Sequence, residues 1–242
     1  MTHDLYQDPE LYDVLHAGYR DDLGFYRTLA EDHGGPVLEL GAGSGRVTVA
    51  LAQAGYAVLA VEPSAPMRER GAERIAAAGA GERVTWIDAD MRELDLGIAV
   101  PLVIAPFHAL MHLATLDDQD AALRAAHRHL RAGGAFATDV FVPRFGADGA
   151  VRADRIGTDD LFVWQTHDTA NQVVVTEHRL DRWADDGRLL RRRATLRQRY
   201  FQRFELERAL RSAGFGRVRT FGGFDRAPVT AAATSWVYLA YH

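Results

Sequence analysis

Residues 37–50 read Val-Leu-Glu-Leu-Gly-Ala-Gly-Ser-Gly-Arg-Val-Thr-Val-Ala, an apolar strand that passes through three alternating glycines straight into a helix. Gly41, Gly43 and Gly45 let the main chain turn where a Cβ would collide with a ligand. The helix that opens near Arg46 aims its free N–H groups back at the same point. A dinucleotide-binding turn reads G-x-G-x-x-G, with a third glycine for close helix–strand packing. Here Arg46 holds that position and the third glycine falls one residue earlier, so the spacing points to a different ligand.

The rest of the chain alternates in the way such a corner requires. Apolar positions recurring at helical intervals predict a helix over 8–32, closed by Gly34-Gly35-Pro36. Strands are predicted at 37–40, 57–61, 84–87, 102–105 and 135–142. Helices are predicted at 47–54, 66–78 (with Ser64 as N-cap) and 117–130. This order implies a parallel sheet covered on both faces. After Pro143 the period changes to two, and 161–167, 173–183 and 189–201 read as antiparallel strands of an inserted layer entered at 146–149. Helix returns at 204–213, followed by strands at 217–221 and 236–241. The expected organisation is an N-terminal helical lid (1–36), a ligand-binding core (37–145), the antiparallel insert (146–202) and the end of the core sheet (203–242).

Glu39 and the glycines, written E/D-x-G-x-G-x-G, closely resemble the first motif of class I S-adenosylmethionine-dependent methyltransferases. Leu130-Arg131-Ala132-Gly133-Gly134 is similar to the family's L-x-P-G-G turn, with Ala132 in place of proline. The resemblance covers the whole chain except the insert. It implies an α/β fold: a seven-stranded, mostly parallel Rossmann-like sheet with helices on both faces and an added antiparallel β-layer. It also implies S-adenosylmethionine as cofactor and S-adenosylhomocysteine as product. The architecture looks like small bacterial methyltransferases of sugar and natural-product biosynthesis, some of which carry an insertion at this place and modify amines.

Within that resemblance, Glu39 organises the turn and the methionine ammonium. Glu62, twenty-one residues beyond Gly41 at a strand end, is placed to accept from both ribose hydroxyls. Asp90-Met91 resembles the adenine site, with Asp88 the surface neighbour. Arg46, Met67, Phe107, Tyr12 and Tyr19 complete the expected cofactor contacts, the tyrosines from a lid segment whose alternative role is packing on the sheet. The fourth strand ends in Ala105-Pro106-Phe107-His108, where nucleic-acid amino-methylating enzymes carry a polar residue before Pro-Pro-aromatic. His108 is the first candidate for a general base and His112 the second. The other reading of His108 is a ring packed on the cofactor. Trp164, Trp183, Phe162 and Tyr200 are candidates for a substrate pocket or for the core of the β-layer.

Composition narrows the function classes. The chain of 242 residues has no cysteine, which excludes zinc–thiolate, iron–sulfur and thiol chemistry, and methyl transfer from a sulfonium needs no metal. The N-terminus lacks a signal-like pattern and no apolar run reaches the length of a membrane span, so the expectation is a cytoplasmic protein away from membranes. All 28 basic residues are arginine, yet the net charge is −5, giving no global attraction to nucleic acid. Arg191, Arg193, Arg197 and Arg199 share one strand face, with Glu177 and Asp181 as expected cross-strand partners. The expected partner is a small-molecule substrate and the expected state a monomer or homodimer. An RNA methyltransferase using the arginine strand, or a cofactor-binding protein without turnover, are the competing readings.

Overall fold

The computed structural model describes residues 3–144, 149 and 151–242. Of the expected insert entry at 146–149, only Gly149 falls within them. The elements are, in order, β1 (His3–Asp4), α1 (Pro9–His16), α2 (Leu23–His33), β2 (Val37–Leu40), α3 (Arg46–Gln53), β3 (Val58–Val61), α4 (Ala65–Ala77), β4 (Val84–Ile87), β5 (Val100–Ala105), α5 (Leu116–Arg128) and β6 (Leu130–Phe141). There follow β7 (Arg152–Ile156), β8 (Asp159–Asp168), β9 (Val173–Trp183), β10 (Leu189–Arg199), α6 (Arg203–Ser212), β11 (Arg217–Phe221) and β12 (Ser235–Tyr241).

Seven strands form one sheet in the order β11-β12-β6-β5-β2-β3-β4. Neighbours are parallel except where β12 lies antiparallel between β11 and β6. Alternation along β2 divides the core: Leu38 and Leu40 join α5 and α6 on one face, while Val37 joins α2 and α3 on the other. The chain order reverses between β2 and β5, so the loops after these two strands splay apart at the carboxyl edge and leave a crevice. The glycine turn follows β2 and Pro106-Phe107-His108 follows β5.

The second sheet has the order β1-β10-β9-β8-β7. Its three long strands match the period-two reading, but β7 and β1 were not legible. β7 reads Arg-Ala-Asp-Arg-Ile with a mostly exposed pattern, so it shows no apolar alternation. β1 is two residues long and pairs in parallel with β10 at Ala194 and Thr195. Leu161, Val163, Leu180 and Ala194 pack this sheet on Leu5 and Leu11 of the N-terminal segment.

Four local expectations are corrected. The helix over 8–32 is two helices, because the chain breaks after His16 to bury Asp22 beside Arg46. Ser64 occupies the N-cap of α4 but its side chain does not cap; Oγ donates instead to the carbonyl of Tyr6. Glu177 faces Thr195 across the sheet, not an arginine, whereas Asp181 does pair with Arg191. Trp183 is 64% exposed and Tyr200 lies in the main core, so neither lines a pocket in the insert.

Behind the glycine turn, a Cβ at Gly71 of α4 would fall 2.3 Å from Trp86 Cη2. Gly71→Ala gains helix propensity of up to about 1 kcal/mol but forces that ring off its site at a cost of roughly 1–3 kcal/mol. The expected net result in thermal unfolding is a lower melting temperature; a raised one would show that the ring yields freely.

Candidate active site

All three turn glycines have left-handed backbone, with φ of +72° at Gly41, +58° at Gly43 and +77° at Gly45. A Cβ at Gly41 would sit 3.1 Å from Ala109 Cβ and 3.2 Å from Met91 Cε, so both conformation and space demand glycine there. The turn is pinned by Glu62 at the end of β3. Its Oε2 accepts from the Gly43 amide at 2.9 Å and its Oε1 from the Ser64 amide at 2.9 Å. Burial raises this carboxyl above its ordinary range while the two amides pull it down.

Around the turn opens a cavity of about 510 Å³ lined by Tyr6, Tyr12, Glu39, Gly41, Gly43, Arg46, Glu62, Asp90, Met91, Phe107 and His112, among others. Glu39 is 1% exposed and accepts from Thr48 Oγ1 at 2.6 Å. Burial pushes its carboxyl up to about 8. Asp90 is held the other way: Arg92 grips both its oxygens and keeps it below the ordinary carboxylate range. Asp88 is on the surface, paired with Arg68.

Four of the expected residues stand off the cavity wall. Met67 is fully buried beneath the turn, its Cε 3.6 Å from where a Gly43 Cβ would be. Gly45 heads α3 against Gly71 and Trp86. Tyr19 lies tilted against Phe107, ring centroids 4.8 Å apart. His108 stacks on Phe107, ring centroids 5.2 Å apart, with Phe141 edge-on to its ring and Asp139 beside it.

Arg46 is the hub of the wall. Both of its terminal nitrogens bond Asp22 at 2.6 Å, and its guanidinium lies over the rings of Tyr19 and Phe107. Phe107 and His108 themselves have positive φ, 54° and 63°, a conformation costly for residues with side chains. Asp139 holds the strain: its Oδ1 accepts the Phe107 amide at 2.8 Å and the Tyr26 hydroxyl at 2.7 Å. Sequence reasoning missed Asp139, although an acid inside the apolar run 135–142 was the available signal.

Burial holds both candidate bases in the neutral form. Burial lowers His108 and His112 to about 4 each. His112 lines the cavity and shares a 2.8 Å hydrogen bond with the hydroxyl of Tyr6, a second residue that sequence reasoning missed. The N-terminal segment closes over this region through Asp13, which takes Ser44 Oγ, Arg70 and Arg74, and through Asp8, which pairs with Arg192 of the insert.

A family described as a methyltransferase domain matches residues 37–134. The chain is 30% identical to the cypemycin N-terminal methyltransferase of a Streptomyces species over 175 residues, 69% of this chain and 70% of that one. It is 36% identical to an uncharacterized methyltransferase of Geobacillus thermodenitrificans over 125 residues, 52% of this chain. The match spans about half (54%) of that relative's length. The CcbJ methyltransferase of Streptomyces caelestis superposes with a TM-score of 0.83 at 28% identity, covering 93% of this chain and 90% of the other.

Asp22 is fully buried and neutralises Arg46, so Asp22→Asn leaves a guanidinium in the wall with half its partner gone. The expected loss is about 3 kcal/mol, read as a fall in melting temperature of roughly 6–12 °C. A change under about 1 kcal/mol would mean that water solvates Arg46 freely.

Proposed function

Because the chain belongs to the class I S-adenosylmethionine-dependent methyltransferases, we propose that it transfers a methyl group to a nitrogen or oxygen of a small metabolite. The observation that carries this reading is the joint geometry of the glycine turn and Glu62 at the floor of the cavity. The residues present fit the cofactor: a Cβ at Gly43 would reach within 4.0 Å of the Tyr12 hydroxyl across the crevice, so glycine keeps that space open.

Glu62 is the proposed ribose partner, its two oxygens already oriented by amides and each with acceptor capacity left. Glu39, at the base of the turn, is the proposed partner of the methionine ammonium. Met91 and Asp90 flank the adenine end, while Tyr12, Phe107 and Arg46 close the methionine end. Met67, Gly45 and Tyr19 support these groups from behind. When bound, S-adenosylmethionine supplies an electrophilic methyl group: a bond to the acceptor forms as the S–CH₃ bond breaks and its electron pair stays on sulfur. The protein's own work is to position the acceptor and exclude water, and the ring-lined wall made by Tyr6, Tyr12, Phe107 and His112 suits it to both.

A small acceptor is favoured over RNA by the arginine strand. Arg191 pairs with Asp181, Arg192 with Asp8, and Arg199 is buried against Glu205 and Gln119, so these cations are already engaged. The name of the Streptomyces relative places its methyl transfer at an N-terminus, which agrees with a nitrogen acceptor. Among the described residues no helix is long and apolar enough to cross a membrane. The proposed state is a cytoplasmic monomer or homodimer.

The direct experiment incubates the protein with methyl-labelled S-adenosylmethionine and fractionated bacterial metabolites or bulk tRNA. Label in a small molecule is expected; label in tRNA alone would overturn the choice of acceptor. Replacing Glu62 by Gln removes a charged acceptor of hydrogen bonds worth about 1.5–3 kcal/mol, so affinity for S-adenosylhomocysteine falls roughly 10- to 100-fold by calorimetry. Unchanged affinity would refute the ribose assignment.

Glu39 generates a pH dependence. Its carboxyl, near 8, holds a proton at neutral pH and must lose it to face an ammonium. Binding of S-adenosylhomocysteine at about pH 7 therefore releases a proton, and affinity rises between about pH 6 and 8. Calorimetry in buffers of different ionisation enthalpy reads that proton, which Glu39→Gln abolishes. No release from the wild-type protein would remove Glu39 as the ammonium partner.

A further inference from the structure

Asp139 carries an unexplained oxygen. The residue is fully buried near the end of β6, and while its Oδ1 takes two hydrogen bonds, Oδ2 has no hydrogen-bond partner among the described residues. A buried, half-satisfied carboxylate costs stability, so its retention calls for a role. The nearest cationisable atom among the described residues is Nε2 of His108, 3.5 Å from Oδ2. His108 is held there by its left-handed backbone, which Asp139 itself fixes through the Phe107 amide.

We propose that Asp139 positions His108 as the proton acceptor for a substrate that arrives as an ammonium ion, which makes the acceptor class a primary or secondary amine. This deepens the methyl-transfer reading and rests on it. With Asp139 ionised, the imidazole turns its Nε2–H toward Oδ2 and keeps the lone pair on Nδ1. The substrate R–NH₃⁺ gives one proton to Nδ1, and its freed lone pair takes the methyl group. The product leaves as R–NH₂⁺–CH₃, and His108 returns its proton to solvent. The imidazolium formed beside the carboxylate leaves the pair neutral. A hydroxyl substrate brings no positive charge, so it gains nothing from that carboxylate before reaction.

The surrounding charges support this balance. Facing the pair are Asp22, Arg46, Tyr26, Tyr19, His16 and His112. Arg46 is cancelled by its two bonds to Asp22, and burial keeps His16 and His112 neutral at about 4. An ionised Asp139 is then the one uncompensated charge in this group, and an ammonium ion compensates it. Burial raises Asp139 to about 7 and lowers His108 to about 4, as expected while no cation is present. The His108 side chain keeps 19% of its surface open.

The test is nitrogen-edited NMR of the histidine rings in the full-length protein, with His108 assigned by its loss in His108→Gln. The wild-type protein at about pH 8 should show His108 as the Nε2–H tautomer. Asp139→Asn keeps an oxygen for Tyr26 and Phe107 but removes the charge, and should abolish the Nε2–H preference of His108 at about pH 8 together with any change in its ring nitrogens as Asp139 ionises near pH 7. An Nδ1–H tautomer in the wild-type protein, or His108 ring signals at about pH 8 that are unchanged in Asp139→Asn, would overturn the assignment. If Asp139→Asn does not fold, the wild-type tautomer alone decides. In the labelling assay, methyl label recovered on nitrogen supports the amine class, and label on oxygen or carbon overturns it. Absence of any label speaks against methyl transfer itself, while the NMR result still decides the pairing.

Discussion

The amide of Gly43 and the carboxylate of Glu62 meet at 2.9 Å, and the site depends on that contact. It joins the turn after β2 to the end of the adjacent parallel strand β3, so the floor of the crevice is one braced unit rather than two loops. Only left-handed glycine brings the Gly43 amide to that point with the turn still open above it. The same bond orients the carboxylate, leaving its remaining acceptor capacity toward the cavity. In the proposed reading, support of the backbone and preparation of a ligand group are one interaction.

The wall opposite is built on buried charge. Asp22 locks Arg46, Arg46 lies against Phe107 and Tyr19, and Asp139 holds Phe107 and His108 in a strained turn. Each charged group is tied to a neighbour on another element: α2, α3, the turn after β5 and β6 are linked in sequence. Breaking a buried pair of this kind leaves an uncompensated charge, which couples the shape of the wall to the integrity of the pairs. The N-terminal segment is coupled as well, through Asp13 to α4 and through Asp8 to β10, so it spans both the core and the insert.

The glycine turn, Glu39 and Glu62 were legible in the sequence because their signals are local: a strand, a tight turn and an acid at a strand end. The parallel sheet followed from alternation of apolar runs, and its seven strands from the family resemblance. What escaped depends on partners distant along the chain. The break between α1 and α2 serves Asp22, whose partner Arg46 lies twenty-four residues on. β1 exists only because β10 offers an edge, and β7 carries no apolar face to announce it. Asp139 stood in plain view within an apolar strand, yet its meaning needs Tyr26 and Phe107, brought to it by the fold. His108 was singled out by type and place, but its stacking on Phe107 follows from left-handed backbone that no motif encodes.

The central claim is that the crevice at the β2–β5 reversal is built for the cofactor of this family, held between Glu62 and Glu39. A crystal structure of the protein with S-adenosylhomocysteine tests it most directly. The account predicts both ribose hydroxyls on the Glu62 carboxylate and the amino acid portion over the glycine turn, with its ammonium facing Glu39. A ligand bound elsewhere, or one in this crevice whose ribose makes no contact with Glu62, would contradict it.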